Sequence, residues 1–283
     1  MQWLLYRVRD VVRTVRGWRE YRQSRRVSRG ADQLLLGLVP AERQKLCEAR
    51  RQFGRNYFRP LDPPLISITV ATYNRSQILL ERTLPSLLAQ DYPRLEVIIV
   101  GDGCTDDTMD RLSRWNHPRV RFENLAERQD YPEDRVHRHL VSGVKPLNRA
   151  VELAQGDWIA HCDDDEIFVS NHLTLLWEFA ERRGSEYVWA QQLQEVEPGK
   201  WIQQGSATPH LFDVPHTTLM YRSYLRCFAY DAEAWRIGLC HDRHRLRRMR
   251  LAGVRSGFLP QVVTMAPLRP NTTRPWAAAE DRA

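Results

Sequence analysis

Three carboxylates stand in a row, Asp163, Asp164 and Asp165, at the end of the apolar stretch Trp158-Ile159-Ala160-His161-Cys162. Side chains alternate along a strand, so a strand that buries Ile159 delivers the acids to its C-terminal tip. Three adjacent like charges repel one another and become tolerable when a divalent cation sits among them. Hard oxygen ligands suit Mg2+ or Mn2+, which are often held by one or two carboxylates together with substrate phosphates. The plainer reading is a solvated acidic turn. Other residues of the same chemical kind lie elsewhere, at Asp102 in Gly101-Asp102-Gly103-Cys104 and at Asp242 in Cys240-His241-Asp242-Arg243.

The elements that position these groups are legible from periodicity. Ile66-Ser67-Ile68-Thr69-Val70-Ala71 reads as a β-branched strand, and Leu95-Glu96-Val97-Ile98-Ile99-Val100 as a strand covered on both faces. Ser76 to Gln90 reads as a helix despite an internal Pro85, and a further helix is expected from Thr105 or Asp106. Arg119-Val120-Arg121-Phe122 is a short strand, and Gly257-Phe258-Leu259-Pro260 is another. Pro146 to Ala154 is a helix with Gly156 in the usual place for a glycine after its end. This order predicts an α/β fold with a mostly parallel sheet covered by helices. Ligands bind such sheets at the carboxyl ends of the strands, and Asn74, Asp102 and Asp163 to Asp165 all follow strands at that edge.

Composition bounds the rest. The 283 residues are 42% hydrophobic, enough for one large core or two small ones. No apolar run reaches the ~20 residues that span a bilayer. Arginines interrupt the N-terminus throughout, which does not read as a secretory signal, so a cytoplasmic protein is expected. Five cysteines without C-x-x-C spacing fit a reducing compartment and argue against a zinc or disulfide framework. The net charge is +7, and lysine occurs only at Lys45, Lys145 and Lys200, so the excess is arginine, the residue suited to phosphate recognition.

Much of that charge lies at the start. Trp3, Leu4, Val8, Val11, Val12, Val15 and Trp18 recur at helical spacing among six arginines, a pattern suited to an anionic membrane surface. The same helix also suits docking on the rest of the protein or on a second subunit. A second short helix is expected around Gln33 to Arg51, and Arg59-Pro60-Leu61-Asp62-Pro63-Pro64 reads as a stiff linker. The expected division is a basic helical extension over residues 1–60, a nucleotide-sugar-binding half over 61–190 and an acceptor-binding half over 191–283.

Three segments converge on one sheet edge: Ala71-Thr72-Tyr73-Asn74-Arg75, Val100-Gly101-Asp102-Gly103-Cys104-Thr105-Asp106, and Leu147-Asn148-Arg149-Ala150-Val151-Glu152-Leu153-Ala154-Gln155-Gly156-Asp157-Trp158-Ile159 leading into the acids. Their order and spacing resemble the family 2 glycosyltransferases, inverting enzymes of the GT-A fold, from about Leu65 to Pro270. The resemblance implies a nucleotide-sugar donor, with UDP favoured, a glycan or lipid-linked acceptor, and Mn2+ or Mg2+ to neutralise the departing diphosphate. It implies Asp165 as the nearest metal ligand, with Asp163 or Asp164 on the donor ribose or completing the metal site. It places Asp102 on the nucleotide base, with Ala71, Thr72 and Tyr73 lining the base pocket and Asn148 on the donor side. It implies that His216, in His216-Thr217-Thr218-Leu219-Met220-Tyr221-Arg222, reaches the metal or diphosphate. The acid that deprotonates the acceptor is usually the second of a Glu-Asp pair; here it is Asp242, and His241 stands where the glutamate is usual. The plainer reading of Asp242 is a helix N-cap, and that of Asp102 a turn residue. A solvated face is the default for Arg243, Arg245, Arg247 and Arg248, against a role on diphosphate or an anionic acceptor. A non-catalytic nucleotide-sugar-binding or membrane-associated scaffold of the same fold is the alternative function. A nucleic-acid binder is disfavoured because no recognisable motif accompanies the arginines.

Overall fold

The computed structural model describes residues 30–53 (residue 32 excepted), 63–207 and 214–268. The expected amphipathic helix over residues 1 to about 30 and most of the proline linker lie outside the described residues. Of the helix expected around Gln33 to Arg51, a turn at Gly37 and Leu38 separates the start from α1, Val39–Phe53.

The strands form where apolar residues are covered on both faces. β1 (Ile66–Thr72), β2 (Leu95–Gly101), β3 (Val120–Asn124) and β4 (Trp158–His161) pair in parallel, in the order β3-β2-β1-β4. Along β2, Ile98 and Val100 enter one core while Val97 and Ile99 enter the other, the period of two that a doubly covered sheet requires. The sheet continues through β8 (Met220–Arg222), antiparallel to β4, into β6 (Tyr187–Glu197), β9 (Ser256–Ala266) and β5 (Ile167–Phe168). β7 (Lys200–Gln204) pairs outside this path with β6, a strand that straddles the expected division at residue 190.

Helices cover the two faces. One face carries α2, a continuous helix through Ser76–Ile78, a π-helical turn Leu79–Thr83 and Leu84–Leu88, together with α6 (His172–Arg183). The π turn explains how Pro85 is tolerated: a proline ring clashes with the carbonyl four residues back, here Glu81, and the wider turn relieves that clash. The other face carries α1, α5 (Val144–Leu153) and α7 (His241–Ala252). Leu46 and Ala49 of α1 belong to the same core as Met249 and Ala252 of α7. The Arg50 guanidinium grips the buried Glu186, just before β6, through two hydrogen bonds, of 2.6 and 2.5 Å.

Three local expectations are corrected. The helix after Gly103 is α3, Thr108–Trp115, rather than starting at Thr105 or Asp106, because the Thr105 and Asp106 amides donate to the Asn74 side chain and hold that segment as a loop. Gly156 does not cap α5, which ends at Leu153 with Ala154 extended; a Cβ at 156 would meet the Leu65 carbonyl oxygen at 2.7 Å, so the glycine permits a close chain crossing. The strand expected at Gly257 runs on past Pro260 to Ala266, with its register against β6 shifted around that proline.

Candidate active site

A cavity of about 450 Å³ opens at the carboxyl ends of β1, β2 and β4, within the range usual for small-molecule sites. Its lining includes Ala71, Thr72, Tyr73 and Asp102 at one end, Asp163 and Asp164 along the wall, and His216, His241, Asp242 and Arg243 opposite. These residues, from five separate stretches of sequence, therefore meet in one cavity. Asn148 and Asp165 are not part of the lining.

The three acids do not continue the strand. β4 stops at His161, and the Glu166 amide donates to the Asp163 carbonyl, closing a turn that sends each carboxylate a different way. Asp164 accepts from the Thr72 hydroxyl at 2.8 Å and from Arg75 at 2.7 Å. The Asp165 carboxylate lies 3.8 Å from the same guanidinium and is 5% exposed, while its carbonyl accepts from Arg82. Arg75 is thus a resident cation for two of the three charges. Asp163 is left to the cavity, its side chain 44% exposed.

Two imidazoles converge on Asp163. His161 Nε2 lies 3.0 Å and His216 Nδ1 3.8 Å from Asp163 Oδ1, and the three ligand atoms fall within 4.8 Å of one another. His161 is a site residue that the sequence reading passed over, although its place two residues before Asp163 at the strand end was a usable signal. Thr69 gives its hydroxyl proton to the Ala160 carbonyl, so toward His161 Nδ1, 3.4 Å away, it acts as acceptor. That oxygen can receive the ring proton at Nδ1 once a cation takes Nε2; without a cation the shorter contact, Nε2 donating to Asp163 at 3.0 Å, holds it. Burial holds the ring neutral, with its pKa down to about 4. For Asp163 burial works upward, but hydrogen bonds and charge from His161 and His216 outweigh it and hold the carboxyl well below the usual range. Two imidazole nitrogens and a carboxylate oxygen gathered this closely form a set that a divalent cation would complete. Two imidazoles and one carboxylate fit Mn2+ better than Mg2+, which favours oxygen ligands and near-ideal octahedral geometry.

At the far end Asp102 is 3% exposed and accepts from the Gln129 amide at 3.0 Å and the Tyr131 hydroxyl at 2.5 Å. Gly103 carries φ of +67°, and a Cβ there would meet the Arg128 amide nitrogen at 2.6 Å, so the Asp-Gly turn admits this loop closely. The Arg128 guanidinium lies 3.6 Å over the Tyr73 ring. Tyr73 is therefore a half-buried platform at the cavity. Asn148 spends its amide on the backbone of Tyr230, donating to the carbonyl and accepting from the nitrogen, both at 2.9 Å.

Asp242 sits in the first turn of α7, where Cys240 is the N-cap, so the N-cap reading of Asp242 is not what the structure has. Its Oδ1 accepts from the Arg243 amide at 2.8 Å. Burial works to raise its pKa, but His216, Arg243 and His241 outweigh that and hold it at about 2. The four nearby arginines separate cleanly. Arg243 lines the cavity, Arg245 is buried among Tyr221, Tyr230 and main-chain carbonyls, Arg247 is buried, and Arg248 pairs with Glu42 of α1.

The buried histidines set a pH dependence. Burial lowers His161 from 6.5 to about 4, and His172 and His241 to about 3. Between those values the unfolded chain binds more protons than the native one, so stability is lost as pH falls below about 6.5. The midpoint of thermal unfolding of the metal-free protein, followed by circular dichroism, is expected to fall steadily from pH 6.5 to about 4. A flat profile across that range would contradict these environments.

A family model described as glycosyltransferase like family 2 matches residues 63–283, more than three quarters of the chain, and contains every residue of this cavity. The chain belongs to this family. Its fold is of the GT-A type: S. aureus TarS in complex with UDP-GlcNAc superposes with a TM-score of 0.57 at 20% identity, covering 74% of this chain and 60% of that one. The mannosyltransferase PcManGT from Pyrobaculum calidifontis, in complex with GDP-Man and Mn2+, superposes with a TM-score of 0.52 at 18% identity over 83% and 68%. In sequence, this family 2 chain is 28% identical over 139 residues to the GalNAc(5)-diNAcBac-PP-undecaprenol beta-1,3-glucosyltransferase of Campylobacter jejuni, which is 47% of this chain and 40% of that protein. It spans between 24% and 40% of the length of the first three curated relatives it matches.

Proposed function

We propose that this family 2 protein is an inverting glycosyltransferase that moves a sugar from a nucleotide donor to a hydroxyl acceptor in the synthesis of a surface polysaccharide or glycolipid. The observation that carries the reading is the meeting of His161, Asp163 and His216 in one cavity with Asp102 and Asp242. His161, Asp163 and His216 would hold a divalent ion, Mn2+ by the donor set, which would supply Lewis-acid neutralisation of the leaving diphosphate. In this reading Asp102 and the Tyr73 platform receive the base, and Asp164, held by Thr72 and Arg75, takes the ribose. Asp242 is ionised at neutral pH and takes the proton of the attacking hydroxyl. The resemblance that singles out Asp165 as the ligand is weighed against the geometry, which presents Asp163.

UDP is the favoured nucleotide because it is the one bound in a TarS structure, and PcManGT, bound to GDP-Man, supplies the competing case. A panel of nucleotide sugars with Mn2+, scored by thermal shift and by donor hydrolysis, tests the reading. A shift with one nucleotide class and slow hydrolysis of its sugar are expected. A shift with neither hydrolysis nor transfer across a broad acceptor panel would favour the non-catalytic binder.

An acceptor held at a membrane is the second element. No helix among the described residues is long and apolar enough to cross a bilayer. Leu34, Leu36 and Leu38 are 64%, 55% and 45% exposed, directly after the arginine- and tryptophan-bearing sequence of residues 1–29. The buried neighbour Leu35 packs on Leu239, three residues before Asp242. A lipid surface meeting these leucines would bring the acceptor to the base. The whole chain is expected to co-sediment with phosphatidylglycerol vesicles, and Leu34→Ser/Leu36→Ser/Leu38→Ser to weaken that binding. Equal retention of both proteins would remove these leucines from the surface.

A further inference from the structure

One buried cation is used by none of the chemistry above. Arg245 is 2% exposed and lies over the rings of Tyr221 and Tyr230, 4.1 and 4.5 Å from their centres. Its Nε donates to the Phe228 carbonyl at 2.5 Å and one terminal nitrogen to the Tyr230 hydroxyl oxygen at 3.2 Å. On its other side that oxygen lies 3.1 Å from His216 Nε2. Tyr230 is fixed a second time through its backbone, clamped from both sides by the Asn148 amide of α5. Tyr230 does not line the cavity, and His216 stands between it and Asp163.

The chemistry of an imidazole links this bond to the metal. When Nδ1 of a neutral ring is given to a cation, the ring proton stays on Nε2 and needs an acceptor. The atom facing Nε2 here is the Tyr230 oxygen. Arg245 cannot accept a hydrogen bond, so it holds that oxygen in place without competing for the imidazole proton. Thr69 has the same relation to His161, so each ring is backed by a hydroxyl oxygen on the side away from Asp163.

We propose that Tyr230, held by Arg245 and Asn148, is a positioning residue that accepts the Nε2 proton of His216 and thereby turns its Nδ1 lone pair to the cation shared with Asp163. This rests on the metal reading of the cavity, and the two can fail separately. The test is Mn2+ affinity by electron paramagnetic resonance on the whole chain, for wild type, Tyr230→Phe, His216→Ala and the double variant. Tyr230→Phe is expected to weaken Mn2+ binding about 10- to 100-fold, as removal of outer partners of metal-bound histidines does. The loss should vanish in the His216→Ala background, because a residue acting through His216 has nothing left to act on. Saturating Mn2+ should restore turnover of the phenylalanine variant, a rescue that a merely structural defect would not show. Equal Mn2+ affinity in wild type and Tyr230→Phe, or full additivity in the double variant, overturns the role of Tyr230 alone. No Mn2+ binding by the wild type overturns the metal reading and this proposal with it. Should the phenylalanine variant not fold, ring nitrogen NMR of the wild-type protein loaded with diamagnetic Zn2+ decides: a proton on Nε2 of His216 supports the proposal, and a proton on Nδ1 ends it.

Discussion

Replacing Asp242 by asparagine is expected to lower kcat by about 100- to 10,000-fold, the usual worth of a positioned general base. The amide keeps the oxygen that accepts from the Arg243 amide, so α7 should start as before. Mn2+ affinity and nucleotide affinity should stay at wild-type values, since Asp242 is outside the His161–Asp163–His216 group. With its pKa held at about 2, Asp242 is already ionised wherever the protein is stable. The acid limb of the rate profile should therefore follow loss of metal or of fold and carry no step belonging to this carboxyl. Steady-state kinetics with the donor found in the nucleotide panel measures both. A variant that keeps most of its kcat would move the base elsewhere, His241 being the nearest alternative along the chain.

The second large effect separates two neighbours. Asp163→Asn should weaken Mn2+ binding by more than about 100-fold, because a direct ligand costs more than the outer partners that account for 10- to 100-fold. Asp165→Asn should leave Mn2+ binding intact and act on the ion pair with Arg75. Calorimetric titration of the two variants decides between the geometry, which turns Asp163 to the imidazoles, and the sequence resemblance, which singles out Asp165. The reverse result would mean that the turn reorganises when the ion enters. Thermal stability of the metal-free Asp163 variant should fall at neutral pH, since a carboxyl that His161 and His216 hold well below its usual range stabilises the native state there.

This contrast shows where sequence stops informing. β1, β2 and β4 were legible because strands covered on both faces must be apolar almost throughout, and their ends then fix where Asp102 and the acids emerge. The direction of each acid was not legible, because alternation applies within a strand and the triplet lies in a turn closed by Glu166. Asn148 carried a motif position yet serves the backbone of Tyr230, some eighty residues later, a partnership only tertiary contact creates. Arg128 gave no signal either: it comes from a loop without periodicity and reaches Tyr73 because Gly103 lets that loop in. Pro85 was read correctly as interior to a helix, but the π turn that accommodates it has no marker in residue type.

The family match begins at residue 63, and a recombinant protein trimmed to that homology boundary would look complete on paper. It would lack Leu46, Ala49 and Arg50, leaving Met249 and Ala252 of α7 facing solvent and the buried Glu186 with only the more distant Arg255 guanidinium, 3.6 Å away. Stripping one partner from a fully buried pair costs about 3–5 kcal/mol, and the Arg255 and Tyr224 contacts that remain on Glu186 keep the loss here below that. The helix that would loosen is the one bearing Asp242, so the shortened protein would fail as a catalyst before it failed to express. For this chain the unit of inheritance and the unit of folding have different edges.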